Sequence, residues 1–101
     1  MIKHVVMWEF KDRAEGNHKE KNIELAKEKI MELKDLVDVI NFLEVGINLN
    51  KSDDQAYDLV LISEFETLAD LYEYQNHPDH QKVKDFVKKV VDKRVVVDYE
   101  I

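Results

Sequence analysis

NFLEVGINLNKSDDQAYDLVLISEF, Asn41 to Phe65, is two apolar runs held apart by a polar one, and the pairing of those runs decides the fold. NFLEVGINL and YDLVLISEF are rich in β-branched, aromatic and leucine side chains, the composition that fits a pleated, half-buried surface. NKSDDQ between them, with Asp53 and Asp54, has turn chemistry, so the segment is predicted to be an antiparallel hairpin. Gly46 inside the first run marks a bulge or a close backbone approach.

Toward the N-terminus a helix is predicted from about Asn17 to Leu36. Asn17 is placed to cap it, Glu20 to complete a capping box, and Ile23, Ala26, Ile30, Leu33 and Val37 recur at helical spacing. Before it, IKHVVMWEF is a strand from Ile2 to Phe10. Toward the C-terminus, TLADLYEYQN is a short helix that ends before His77, because Pro78 restricts its predecessor to extended backbone. Pro78 suits the first position of a new helix, DHQKVKDFVKKVV, with Val83, Phe86, Val87 and Val90 on one stripe. RVVVDYEI is the last strand. The order βαββαβ, with the second helix split, specifies an α+β, ferredoxin-like domain: a four-stranded antiparallel sheet with helices on one face, one domain over residues 1–101.

Alternation along the strands then sorts residues between two faces. One side is expected to present Val5, Met7, Leu43, Val45, Ile47, Val60, Ile62, Val95, Val97 and Tyr99, a set too apolar to leave in water. The helices can cover only one face, so a second copy is expected on the other, in an obligate homodimer that closes a barrel-like core. The helix-side face presents His4, Val6, Trp8, Phe42, Leu59, Leu61, Ser63, Val96 and Asp98. The first strand lies antiparallel beside the last, which sets His4 across from Asp98. The cleft between this face and the helices is the expected ligand site, walled by Val6, Trp8, Phe42, Leu61 and Val96, with His77 at its rim.

Composition removes other classes. Fifteen Lys and Arg against 22 Asp and Glu give a net charge of -7, and the lysines are interleaved with acids. Neither nucleic acid nor a membrane surface is an expected partner. There is no cysteine, which excludes thiol chemistry and is compatible with a cytoplasmic location. MIKHVVMWEF carries Lys3, His4 and Glu9 within its apolar run and so does not read as a signal peptide. No glycine-rich phosphate loop or serine nucleophile motif occurs.

Chemistry-bearing residues concentrate in YEYQNHPDH, Tyr72 to His80. The structural reading makes His77 the cap of the helix beginning at Pro78, Asp79 the complement of its positive end, and Tyr74 a core aromatic. A metal reading would use His77, His80 and His4, but Pro78 intervenes and no cysteine or dense carboxylate cluster completes a tetrahedral set. His18 is expected in water, as is Glu44.

MIKHVVMWEFKD, LEVGIN, YDLVLISEFET, YEYQNHPDHQKV and VVVDYE, in this order over the whole chain, resemble the stress-responsive dimeric α/β barrel family, the Dabb domain. The resemblance implies a homodimeric α+β barrel in a family where many members have no assigned reaction. It also implies, by similarity to members that are polyketide cyclases, intramolecular aldol chemistry without metal or organic cofactor. In those members a histidine of the HPxH segment and a tyrosine just before it do the work. The matching positions are His80 as general base and Tyr74 as donor to the enolate oxygen, with His4 and Asp98 as the supporting pair. Cofactor-free oxygenases share barrels of this type, without a separate signature in this chain. Opposing influences act on His80: the start of a helix disfavours its cation, whereas a nearby Asp98 would favour it and fix the ring tautomer, and the sequence leaves the sum unsigned. Trp8 and Phe42 would take up cavity volume, and Arg94 would neutralise Asp98. Two readings follow: a dimeric protein that binds a small apolar or aromatic molecule, and a cofactor-free cyclase or lyase. What discriminates between them is whether a cavity of about 300 Å³ or more, the usual lower bound for ligand pockets, reaches His80, or Trp8 fills that space.

Overall fold

From Ile2 to Phe10 every second residue is buried, the period of a strand with one covered face. The computed structural model describes residues 1–101. In chain order it has β1 (Ile2–Phe10), β2 (Arg13–Ala14), β3 (Asn17–His18), α1 (Lys19–Leu36), β4 (Phe42–Ile47), β5 (Leu59–Phe65), α2 (Leu68–Asn76), α3 (Pro78–Val90) and β6 (Val91–Glu100). The four long strands form one sheet in the order β4-β5-β1-β6 with every pairing antiparallel. This is the expected ferredoxin-like sheet.

β2 and β3 form a small hairpin that is not among the predicted elements. Its two-residue turn places Glu15 at φ 50 and Gly16 at φ 77, the pair of positive angles of a type I′ turn. The hairpin takes Asn17 away from the expected capping box. His18 occupies the N-cap of α1 without a side-chain capping bond. Asn17 Nδ2 instead donates to Asn22 Oδ1 at 3.4 Å, and Asn22 Nδ2 to the Ala14 carbonyl at 2.9 Å. Asn22 is fully buried, so these bonds satisfy its amide and dock the hairpin on α1.

The α1 stripe behaves as its spacing requires: Ile23, Ala26, Ile30, Leu33 and Val37 are all buried. With β1, β5, α2 and α3 they build two apolar clusters. One centres on Val6, Trp8, Phe10, Ile30, Leu61 and Val87, the other on Leu33, Val37, Phe65, Leu71 and Tyr74.

The expected phase of β4 is corrected. Val45 pairs with Leu61 and Ile47 with Leu59, while Phe42 pairs with Glu64 and Gly46 with Val60. Directly paired residues share a face, so Leu43, Val45 and Ile47 lie on the helix side, and Leu43 and Val45 pack against the core. Phe42 and Glu44 lie on the outer face. The cause is the hairpin register, which pairs odd positions with odd; one residue of slip would move every β4 side chain to the other face. The outer face keeps Val5, Met7, Val60, Ile62, Val95, Val97 and Tyr99, now with Phe42. Met7, Phe42, Val95, Val97 and Tyr99 are exposed. At one end of this face Lys3 pairs with Glu64 at 3.8 Å.

Candidate functional site

Between the helix side of the sheet and α1, α2 and α3 lies a cavity of about 520 Å³. It falls along the seam of the two apolar clusters: Val6, Trp8, Ile30, Leu61 and Val87 come from one, Leu33 and Tyr74 from the other. Trp8 forms part of the wall and does not fill the space. The volume exceeds the lower bound of about 300 Å³ for ligand pockets, and the space reaches His80. A second hollow, about 560 Å³ and beside the β4–β5 loop, is lined by only 3 hydrophobic residues and mainly by carboxylates, lysines and asparagines. It offers little apolar wall.

The break between α2 and α3 builds the chemical end of the cavity. α2 is capped at its start by Thr67, whose Oγ1 accepts from the Asp70 N–H at 3.1 Å. It stops at Asn76, ahead of the extended His77 and Pro78. A helix end leaves carbonyls without intrahelical partners, and the Gln75 carbonyl is taken up by the first turn of α3. His80 Nδ1–H donates to it at 3.0 Å and Gln81 Nε2–H at 2.7 Å. A carbonyl can only accept, so Nδ1 carries the proton of neutral His80 and Nε2 keeps the lone pair. Burial lowers the His80 pKa from its ordinary value. The Gln75 bond opposes that, and the charges of Lys84, His4 and Arg94 add to the lowering. The sum left open by the sequence is thus a histidine held toward its neutral form. Gln75, not Asp98, sets its tautomer.

Tyr74 lies beside it, the two rings 4.5 Å apart between centroids at 58°. Tyr74 also packs on Phe65 at 5.1 Å and meets His4 edge-on at 6.3 Å. Only 1% of Tyr74 is exposed. Burial pushes its phenol far up, partly offset by Arg94, so it is a hydroxyl donor throughout the physiological range. His4, 2% exposed, faces the cavity from β1. Its Nδ1–H donates to Asp98 Oδ1 on β6, as the pairing of His4 with Asp98 allows. No fully buried side-chain nitrogen or oxygen lacks a partner. Tyr74 Oη, His4 Nε2 and His80 Nε2 have no protein partner, so these three atoms open to the space their side chains line.

The expected site residues therefore divide. His4, Val6, Trp8, Leu61, Tyr74 and His80 line the cavity together, and Asp98 stands behind His4. Phe42, expected in the wall, is 41% exposed on the outer face because of the β4 register. His77 does not reach the cavity: its Nδ1 accepts from the Asp79 N–H at 3.1 Å and caps α3, the structural role weighed for it above. Val96 has the right face but lies on edge strand β6 outside the lining, exposed. Arg94 does not pair with Asp98 and lines the cavity opposite α3. Gln75, Lys84 and Lys88 also line the cavity and are not among the expected residues. His80, Lys84 and Lys88 are spaced by four, which puts them on one helix face and was the available signal.

Three comparisons bear on this chain. Residues 2–101 match the family model described as Stress responsive A/B Barrel Domain, Dabb. A dimeric ferredoxin-like protein of unknown function from Bacteroides fragilis superposes with a TM-score of 0.87 at 31% identity, covering 99% of this chain and 95% of that one. A Dabb family protein with a ferredoxin-like fold from Mesorhizobium loti gives 0.72 at 26%, covering 99% and 95%. Hydroxynitrile lyase from Passiflora edulis gives 0.81 at 21%, covering 99% and 92%, and shares the fold. None of the curated proteins compared with the chain matches it. With the model matched from Ile2 to the last residue, and the ferredoxin-like sheet in place, the chain belongs to the stress-responsive A/B barrel (Dabb) family.

Proposed function

We propose that this chain binds a small apolar or aromatic molecule in the cavity between its sheet and helices. The observation that carries the reading is the form of that space. It measures about 520 Å³, 9 of its 17 lining residues are hydrophobic, and His4, Tyr74 and His80 bring polar groups together at one end. That is the composition of ligand pockets in general. Trp8 is the sole tryptophan and lies in the wall, so its indole signal in NMR is a built-in reporter. Titration with small aromatic ketones is expected to shift that signal saturably. Ligands that shift only outer-face residues such as Val97 would refute the reading.

A second reading is cofactor-free acid–base catalysis of the lyase or cyclase kind, favoured by the free Nε2 of neutral His80, whose ring lies 4.5 Å from that of Tyr74. His80 Nε2 would take a proton from the carbon beside a substrate carbonyl. Tyr74 would hold the enolate oxygen, and in a cyclase the enolate carbon would attack a second carbonyl of the same molecule. His4, tied to Asp98, would position the tyrosine end of the site. With β-polyketone thioesters, His80→Ala is expected to lower turnover by ~10²–10⁴ and Tyr74→Phe by ~10²–10³, with folding retained. Unchanged turnover in His80→Ala removes this reading and leaves the first.

The relatives described as dimeric also support self-association here. The surface proposed for it is the outer sheet face around Val5, Val60 and Val97, where no helix lies and apolar side chains predominate.

A further inference from the structure

The chain carries a net charge of -7, yet no aspartate or glutamate lines the cavity. Lys84, Lys88 and Arg94 do. Lys84 and Lys88 follow His80 at successive turns of α3, and Arg94 faces them from β6, beside Trp8 in the register. None of the three has a carboxylate within 4.0 Å, whereas Lys3, Lys19 and Lys89 do. Arg94 is near enough for its charge to act on both Tyr74 and His80. The result is a largely apolar hollow whose permanently charged border residues are all cationic, in an acidic protein, and local charge of one sign against low-dielectric walls selects ligands of the other.

We infer that the cavity takes an ionised apolar or aromatic carboxylic acid, its carboxylate between Arg94 and the lysines of α3 and its apolar body against Trp8, Leu33 and Leu61. This rests on the binding reading above and specifies its ligand class. Arginine presents a planar fork that matches a carboxylate, and Lys84 and Lys88 add point charges that need no fixed geometry. A carboxylate so held would set the rest of the ligand against the His80 and Tyr74 end, one helical turn away along α3.

The test compares 4-butylbenzoic acid with 4-butylbenzamide, nearly isosteric and differing in charge. Both are titrated into the full chain at neutral pH and followed by the Trp8 indole signal. The acid is expected to bind at least about tenfold more tightly at low salt. That preference should shrink as ionic strength rises from about 0.01 M to 1 M, where the screening length falls from about 30 Å to 3 Å. In a variant combining Lys84→Gln, Lys88→Gln and Arg94→Gln the preference should fall to near parity. Equal affinities for acid and amide in the unaltered chain would overturn the inference while leaving the binding reading intact, as would a preference that survives the triple substitution. A Trp8 signal that moves with neither compound overturns both.

Discussion

The Gln75 carbonyl oxygen accepts from His80 and from Gln81 together, and this sets the state in which His80 meets the cavity. Because burial lowers the His80 pKa from 6.5, the unfolded chain takes up this proton before the folded one does as pH falls. The stability associated with neutral His80 is therefore complete above pH 6.5. It is lost as pH drops from 6.5 through the lowered folded value, and below that no more is lost. In an NMR titration His80 is expected to show a midpoint below 6.5, with the proton on Nδ1 in long-range ¹H–¹⁵N spectra of the neutral form. A midpoint at or above 6.5, or a proton on Nε2, contradicts this account. His80 was legible from sequence because HPxH carries it. Gln75 was not, because its backbone carbonyl acts and a backbone group leaves no trace in residue identity.

At the scale of elements, the break at His77 and Pro78 does two things. It frees the carbonyl that orients His80, and it makes His77 a cap whose ring nitrogen accepts the Asp79 N–H. Losing a side-chain cap typically costs about 1 kcal/mol. His77→Ala is expected to lose about that much in urea denaturation, and His77→Asn, which can cap, to recover most of it. Equal stabilities of the two variants would show that the cap contributes nothing. Helix and strand boundaries lay close to their predicted places wherever periodicity was strong, as along α1. The missed β2–β3 hairpin is two residues a side, too short for any period to register, and it displaced Asn17 from the expected cap.

For the whole molecule the deciding feature is a sheet with helices on one side only. The β4 correction turns Leu43, Val45 and Ile47 inward and Phe42, Glu44 and Gly46 outward. The outer face loses apolar residues at its β4 edge and keeps them across β5, β1 and β6. Val97, 53% exposed in the single chain and paired with Val5, sits on this surface. The chain is expected to sediment at twice its 12.0 kDa mass, and Val97→Lys to drive it toward a single-chain species with reduced thermal stability. Sedimentation of the unaltered chain as a stable single subunit at micromolar concentration would refute the proposed interface. No helix is long and apolar enough to cross a membrane.

What the amino-acid order determined was every pattern with a local period: four strands, the split second helix, the buried stripe of α1, and the antiparallel facing of His4 and Asp98 that topology then required. The tertiary structure alone decided the phase of β4, the retreat of Phe42 and His77 from the site, and a cavity bordered by Lys84, Lys88 and Arg94 with no acid among its walls. The reason is physical. Periodicity is set by dihedral angles within one element, whereas strand register, enclosed volume and charge neighbourhoods arise only when elements distant in sequence pack together.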